Sequence, residues 1–446
     1  MRKYLLLSSL LITIVTLHAQ DLPRKGAFGV QMQANPEGLG IDVLKVFPNS
    51  TASGLDLQAG DIIKRVDKEV YHDVNELVKV IGTWNAGDPI SVQVDRDRKL
   101  VLLNGLVMGK PLETSAHGEV IYGSVDFDGG QLRSILELPH GVENPPVLYF
   151  LPGIGCGSLD FYYNPGSTVK LLVEELVQQG IAVYRVEKPG MGDSRGTQPC
   201  EEMDFNYEVA ALKSGLHTLQ GLDGIDSDQI FLYGHSLGTV SAPLVAIGEN
   251  IKGIIAWGGV SKSWFEYSLD ILREQKLLVG QDYQKIEENF RELLPFYYDF
   301  YVNQKTPQEL QADERYAKFA KNYFSGEMWF GIHHYSYFHT LNQVSTLTDY
   351  QEADCPVLCL AGEFDLHAIN TRWASEISAA VNHAREGQGE HTVVPQTTHH
   401  YHTVPSMADY NQLRSNGELT GAYMEKHFNP QVPGLVSEWI RKIVGA

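Results

Sequence analysis

The chain has 446 residues, of which 43% are hydrophobic and 20% are charged, a composition typical of a globular protein with more than one domain. Its formal net charge of −20 at pH 7 argues against a nucleic-acid partner.

Residues 1–19 have the features of a secretory signal peptide. Arg2 and Lys3 precede an apolar stretch at 5–15 that is too short to span a bilayer comfortably, and Ala19 is a small residue before a cleavage site at Gln20. No other stretch is long and apolar enough for a transmembrane helix. We therefore expect an exported protein, periplasmic or secreted, without a membrane span.

Residues 25–108 form a first, β-rich unit. Apolar runs at 41–47 and 90–94 predict strands, and Asp73 is placed to cap a helix over residues 74–84. The apolar positions of that helix share one face: Val74, Leu77, Val78 and Ile81.

This unit resembles a PDZ domain, most specifically at residues 53–63, SGLDLQAGDII. The resemblance implies a groove between a strand and the 74–84 helix, where a peptide adds as an extra strand. The backbone amides of Phe28, Gly29 and Val30 would bind the peptide's terminal carboxylate, and Val74 indicates an apolar pocket. The alternative is a module that docks on the rest of its own chain.

From residue 118 to 446 strands and helices alternate. A hairpin at 120–138 turns at Asp-Gly-Gly, residues 128–130, and further strands are predicted at 147–151, 181–186, 229–233, 253–257, 356–362 and 392–394. Helices are predicted at 168–179, 205–219 and 433–443. The alternation predicts an α/β fold, a mostly parallel sheet with helices on both faces.

Residues 261–350 interrupt this alternation with helical patterns and many aromatic residues. We interpret them as an inserted helical cap. Most of the aromatic residues are expected to hold the cap together, because a small subdomain needs large side chains to bury enough area, and others would line a substrate cavity.

The motif GHSLG, residues 234–238, predicts a nucleophilic serine. It follows an apolar strand and precedes a helical stretch, so Ser236 lies on a sharp strand-to-helix turn. A second match, at residues 192–196, has neither a strand before it nor a helix after it. We interpret Ser194 there as a loop residue, and the alternative for Ser236 is a tight turn that happens to contain serine.

Serine needs a base and an orienting acid to act as a nucleophile. Asp365 and Glu363 both follow the strand at 356–362, and Asp365 is preferred because the acid is expected beyond the glycine. His399 is preferred over His400 as the base because of its position in the loop after the last strand. A zinc site of His399, His400 and His402 is disfavoured, because adjacent histidines point in opposite directions.

The chain order Ser236, Asp365, His399 is that of the α/β-hydrolase superfamily, which residues 118–446 resemble. Residues 151–155, LPGIG, resemble its oxyanion loop, with Pro152 where many relatives have histidine, and residues 187–194 resemble its glycine-rich loop. The resemblance implies that the amides of Leu237 and Ile154 stabilise the oxyanion. It implies no cofactor and no metal.

Four cysteines are present. Cys355 and Cys359, four residues apart on one strand, would be about 13 Å apart and cannot bridge each other. Cys156 and Cys200 lie in loops at the same edge of the predicted sheet. The sequence leaves open whether or not they form a disulfide with each other.

We thus expect an exported serine hydrolase that cleaves a small-molecule carboxylic ester through an acyl-enzyme. The first alternative is a serine peptidase of the same fold acting on short peptides. The second is a catalytically inert peptide-binding scaffold, against which the candidate triad argues.

Overall fold

The computed structural model describes residues 22–445, and the predicted signal peptide at 1–19 lies outside them. The N-terminal unit is a five-stranded antiparallel sheet in the order β1-β2-β3-β4-β5. Asp73 caps the second helix by accepting a hydrogen bond from the Asn75 N–H at 2.7 Å, as predicted. The elements are β1 Val30–Ala34, β2 Ile41–Val46, α1 Thr51–Gly54, β3 Ile62–Val66, α2 Val74–Ile81, β4 Pro89–Arg96 and β5 Lys99–Leu106.

The second unit begins with an antiparallel hairpin and continues with alternating strands and helices. Every residue of its strands β8 to β11 is buried, which explains why the sequence there is mainly apolar; Arg185 of β9 and His235 of β10 are the polar exceptions. The elements are β6 Gly118–Phe127, β7 Gly130–Pro139, β8 Val147–Leu151, α3 Thr168–Gln178, β9 Ala182–Val186, α4 Phe205–Gln220, β10 Ile230–His235, α5 Gly238–Ala246 and β11 Gly253–Trp257.

The cap is mainly helical but also contains a small three-stranded antiparallel sheet that the sequence did not predict. Strands of two residues are too short to show an alternating pattern. Trp329 stacks on Phe300 with 4.2 Å between ring centroids, and both are buried in the core of the cap. The elements are α6 Trp264–Leu272, α7 Glu274–Leu278, α8 Tyr283–Tyr301, α9 Pro307–Ala312, α10 Ala317–Ala320, β12 Phe324–Ser325, β13 Met328–Trp329, β14 His333–His334, α11 Tyr335–Leu341 and α12 Thr346–Glu352.

After the cap the chain completes the large sheet, with β15 Val357–Gly362, α13 Arg372–Ala384, β16 Gly389–Val394, α14 Met407–Ser415, α15 Gly421–Lys426 and α16 Gln431–Val444. The eight strands have the order β16-β15-β11-β10-β8-β9-β7-β6. All neighbours are parallel except β6 with β7 and β7 with β9. This confirms the predicted fold class.

The two units are joined by buried charges. The Arg24 guanidinium pairs with Asp160 at 2.6 Å and also with Asp193, and the Lys25 N–H donates to Asp193 at 2.8 Å. Arg133 of β7 reaches the same Asp193 carboxylate at 3.0 Å. The segment before the first unit is therefore tied to the loops of the second. Over residues 22–445, no helix combines the length and the apolar composition needed to cross a bilayer.

Candidate active site

Ser236 occupies a strained turn between β10 and α5. Its φ of 57° lies in the left-handed region, which is costly for a residue with a Cβ and is maintained only by its surroundings. The Ser236 N–H donates to the Trp257 carbonyl at 2.9 Å, and the Thr239 hydroxyl donates to the Ser236 carbonyl at 2.6 Å. The half-buried serine is thus held at the carboxyl edge of the sheet.

Glycines flank Ser236 because strand and helix approach closely there. A Cβ at Gly234 would lie 2.4 Å from the Gly238 carbonyl oxygen, and a Cβ at Gly238 would lie 2.2 Å from the Leu151 carbonyl oxygen. Neither contact is tolerated, so the motif requires glycine at both positions.

Asp365 follows β15 and is buried. One carboxylate oxygen accepts the Nδ1–H of His399 at 2.7 Å, and the other accepts the N–H groups of His367 at 2.8 Å and Ala368 at 2.7 Å. Burial alone would raise the pKa of Asp365, but His399 and these amides hold that pKa below its ordinary value, so the group stays ionised. Its competitor Glu363 is exposed and accepts the Gln396 N–H at 2.8 Å.

His399 rather than His400 is hydrogen-bonded to Asp365. The His399 carbonyl accepts the Trp257 indole N–H at 2.9 Å and lies 3.3 Å from His235 Nε2, which fixes the loop. Burial, together with the neighbouring His399, lowers the pKa of His400 to about 3, so His400 is a poor proton acceptor near neutral pH.

The structure brings Asp365 and His399 into contact and places Ser236 nearby. The ring of His235, the residue preceding Ser236, lies 4.9 Å from the His399 ring between centroids. Within residues 22–445 no hydrogen bond joins the Ser236 hydroxyl to His399. In enzymes without substrate this bond is often long and tightens only in the complex.

The backbone at both predicted oxyanion donors, Leu237 and Ile154, lies close to Ser236. Leu237 follows it directly, and a Cβ at Gly153, the residue before Ile154, would lie 3.0 Å from the Ser236 Cβ. Among the described residues, the N–H groups of Ile154 and Leu237 have no hydrogen-bond acceptor. Neither N–H is thus engaged within the part of the chain that the structure describes.

Ser194 has a different environment from Ser236. It is buried, and its hydroxyl accepts the Arg133 N–H at 3.0 Å. This bond connects the glycine-rich loop with β7.

The first unit contains a cavity of about 590 Å³ along β1 and α2, which includes the three residues predicted to bind a peptide carboxylate: Phe28, Gly29 and Val30. Val78 and Ile81 of α2 line it, whereas Val74, expected at the pocket, does not. Tyr162 and Tyr163 of the second unit also line it, so the groove borders both units.

Cys156 and Cys200 form a disulfide, which resolves the alternative that the sequence left open. Cys355 and Cys359 are free and buried. Over residues 22–445, one group of potential ligands is close enough to hold a metal ion, Cys156, Cys200 and His333. Because its two sulfur atoms are bonded to each other, this group lacks the thiolates that a metal would need.

Sequence reasoning missed three residues that position the site: His235, Trp257 and Lys188. His235 and Trp257 are the last residues of β10 and β11, the edge at which active sites of parallel sheets form, and that placement is a usable signal. Lys188 donates to the Gly153 carbonyl at 2.8 Å. Nothing in the sequence pattern indicates that contact.

Residues 148–412 match the model of the alpha/beta hydrolase family, and residues 26–105 match that of the PDZ domain. The chain therefore belongs to the alpha/beta hydrolase family. More particularly, it is an alpha/beta hydrolase with an N-terminal PDZ domain.

Solved structures with a similar fold include Est1E from Butyrivibrio proteoclasticus, at 16% identity and a TM-score of 0.45, with 74% of this chain and 100% of that chain covered. An esterase from Pyrococcus furiosus is similar at 13% identity and a TM-score of 0.41, with 74% of this chain and 96% of that one covered. An esterase from Pseudomonas putida is similar at 16% identity and a TM-score of 0.38, with 71% of this chain and 84% of that chain covered. No curated protein matches the sequence.

Proposed function

We propose that this alpha/beta hydrolase is a serine esterase that cleaves a carboxylic ester through an acyl-enzyme. The observation that carries the proposal is the buried pair of Asp365 and His399, 2.7 Å apart, beside a strained serine turn. Asp365 keeps the Nδ1 proton of His399 in place, which leaves Nε2 as the proton acceptor.

In this mechanism the Ser236 hydroxyl attacks the ester carbonyl carbon while His399 takes its proton. The oxyanion accepts hydrogen bonds from the free N–H groups of Ile154 and Leu237. His399 then protonates the leaving alcohol, and a water molecule, deprotonated by His399, releases the acid and restores Ser236.

The test compares hydrolysis of p-nitrophenyl acetate and butyrate by the chain beginning at Gln20 and by two matched variants. We expect Ser236→Ala to lose at least about 10³-fold in kcat, and Ser194→Ala, at the second motif match, to retain activity. Equal rates for the parent chain and Ser236→Ala would remove Ser236 from the mechanism. Cleavage of aminoacyl-naphthylamides without ester hydrolysis would instead identify a peptidase. Failure of the protein to react with a fluorophosphonate probe would identify an inert scaffold.

We also propose that the protein is exported, which the sequence of residues 1–19 and the Cys156–Cys200 disulfide support. The purified exported protein should begin at Gln20. Thiol titration in denaturant should find two thiols without reductant and four after reduction. Four thiols before reduction would contradict the proposal.

We propose a second function for the PDZ domain, the binding of a peptide C-terminus that ends in an apolar residue. Among the described residues the N–H groups of Phe28 and Gly29 have no acceptor, and Lys110 lines the same cavity. Together they offer donors and a positive charge to a carboxylate, while Val78 and Ile81 offer an apolar surface.

Fluorescence anisotropy with a labelled peptide that ends in valine tests this binding. The free-acid peptide should bind more tightly than its amidated form, and Val78→Glu should abolish the difference. Val70→Glu is the matched control, because Val70 and Val78 are both 50% exposed and Val70 lies outside the cavity. Equal affinity of the acid and the amide would contradict carboxylate recognition.

A further inference from the structure

The peptide group between Gly153 and Ile154 has two roles in this structure. Its N–H is one of the two proposed oxyanion donors, and its carbonyl accepts a hydrogen bond from Lys188 Nζ at 2.8 Å. Since a trans peptide is planar, its C=O and N–H point in opposite directions. A cation bound to the carbonyl therefore determines the direction in which the Ile154 N–H points.

Lys188 is itself held rigidly. Its ammonium pairs with Glu208 at 2.8 Å, and both side chains are only 1% exposed. The other Glu208 oxygen accepts the Tyr337 hydroxyl at 2.7 Å, and Tyr337 is a fully buried residue of the cap. A buried lysine with one carboxylate partner is already neutralised, so the additional bond to Gly153 is not needed for charge pairing.

The chain of contacts thus runs from the cap to the oxyanion loop, through Tyr337, Glu208 and Lys188. Tyr337 also stacks on His333, with 4.1 Å between ring centroids, and His333 Nδ1 lies 3.0 Å from the Cys200 carbonyl. Cys200 is bonded to Cys156, two residues after Ile154. The loop is therefore fixed at Gly153 by a hydrogen bond and at Cys156 by a covalent bond.

We propose that Lys188 is a positioning residue that orients the Gly153–Ile154 peptide, and that Glu208 and Tyr337 connect this orientation to the cap. The proposal rests on the proposed serine-hydrolase function, because it assigns Lys188 a role in forming that oxyanion hole. Lys188 does not touch the substrate. Its effect is on the transition state, where the Ile154 N–H meets a full negative charge.

The central test is Lys188→Met, which keeps the length of the side chain and removes its donors. Active sites are counted with a fluorophosphonate probe, so that unfolded protein does not lower the measured rate. We expect kcat to fall about 10- to 100-fold, with KM changed by less than about twofold, since one donor is misdirected rather than deleted. The Ki of a trifluoromethyl ketone, which forms the same oxyanion, should rise by the factor by which kcat/KM falls.

Lys170→Met is the matched control. Lys170 is also a buried lysine, 4% exposed, and it pairs with Glu137 at 2.8 Å, Glu174 at 3.0 Å and Glu113 at 3.3 Å, none of which belongs to the oxyanion loop at 151–155. This control should lose stability with kcat per active site unchanged. Tyr337→Phe, which removes only the bond from the cap to Glu208, is a milder second variant with an expected severalfold loss in kcat.

An unchanged kcat per active site in Lys188→Met, or a fall in kcat with unchanged ketone affinity, would overturn the proposal. If Lys188→Met does not fold, an unchanged kcat in Tyr337→Phe overturns it instead. If the parent chain cleaves no ester, the rate constant of fluorophosphonate labelling replaces kcat, because that reaction passes through the same oxyanion. A parent chain that does not react with the probe overturns both the proposed function and this inference.

Discussion

The two sides of the candidate active site are held together by different forces. On the serine side, Ser236, Asp365 and His399 follow the parallel strands β10, β15 and β16 and are fixed by backbone bonds and by buried aromatic residues such as Trp257. On the oxyanion side, the loop that contains Ile154 is fixed by a disulfide and by hydrogen bonds to two buried ionisable side chains, Lys188 and Glu187. The sheet register thus positions the serine side, whereas a disulfide and long-range hydrogen bonds position the oxyanion side.

This difference teaches which substitutions leave a buried charge without its partner. Replacing a candidate catalytic side chain on the serine side leaves the sheet intact and should mainly reduce activity. Removing one member of the buried Lys188–Glu208 pair on the oxyanion side leaves an uncompensated buried charge, which is costly to the folded state.

The largest effect is expected for Asp365→Asn. Asparagine keeps the shape but removes the charge and allows the wrong tautomer of His399, so kcat should fall about 10³- to 10⁴-fold. The measurement is steady-state ester hydrolysis together with urea unfolding. Glu363→Gln, at the neighbouring exposed acid, is the control and should retain nearly full activity.

The next effect is expected for Arg185→Met. Arg185 is fully buried between Glu113 at 3.0 Å and Glu137 at 3.6 Å, so its removal should lower the free energy of unfolding by about 3–5 kcal/mol. Lys442→Met is the control, because the Lys442–Glu390 pair is exposed and should contribute about 0–1 kcal/mol. Equal losses for the two variants in urea unfolding would contradict the importance of burial.

Glu187 gives a pH-dependent test of the oxyanion side. Burial raises the pKa of Glu187 to about 7 from an ordinary value of 4.5, despite hydrogen bonds from Ser158 and the Leu159 N–H. The folded state therefore retains the proton more tightly than the unfolded state. The stabilisation of the folded state by protonated Glu187 is fully present below pH 4.5 and is lost as the pH rises through about 7.

Glu187→Gln mimics the protonated acid and removes the titration. We compare the free energies of unfolding of this variant and of the parent chain at each pH. The difference, variant minus parent, should be about 2 kcal/mol larger at about pH 8 than at about pH 5. Urea unfolding at both pH values measures the gain. A difference between the two proteins that does not change with pH would show that Glu187 is ionised in the folded state.

The smallest effect is expected for Thr239→Val on the serine side. The substitution removes the hydroxyl that donates to the Ser236 carbonyl at 2.6 Å and should cost about 1 kcal/mol of stability. The Thr239 N–H still donates to that carbonyl at 2.9 Å, so kcat should change little. A large loss in kcat would show that the strained turn depends on this one hydroxyl.

Much of this molecule follows from the sequence alone. The apolar runs at 147–151 and 253–257 coincide with β8 and β11, because strands buried on both faces are mainly apolar. Glycines on both sides of Ser236 predict the sharp turn, since a Cβ at either position meets backbone atoms. The positions of Asp365 and His399 after strands predict them as the acid and the base, and those two side chains are in contact.

Only the tertiary structure decided how the oxyanion loop is held. Lys188 and Gly153 are 35 residues apart, and Lys188 and Glu208 belong to different elements, so no local pattern indicates that they meet. The small cap sheet and the Tyr162–Tyr163 border of the PDZ groove were also unpredictable, because neither has a periodic signal. The periodicity of apolar residues indicates which side chains face a core. Pairing between distant charges depends instead on how the helices and strands pack.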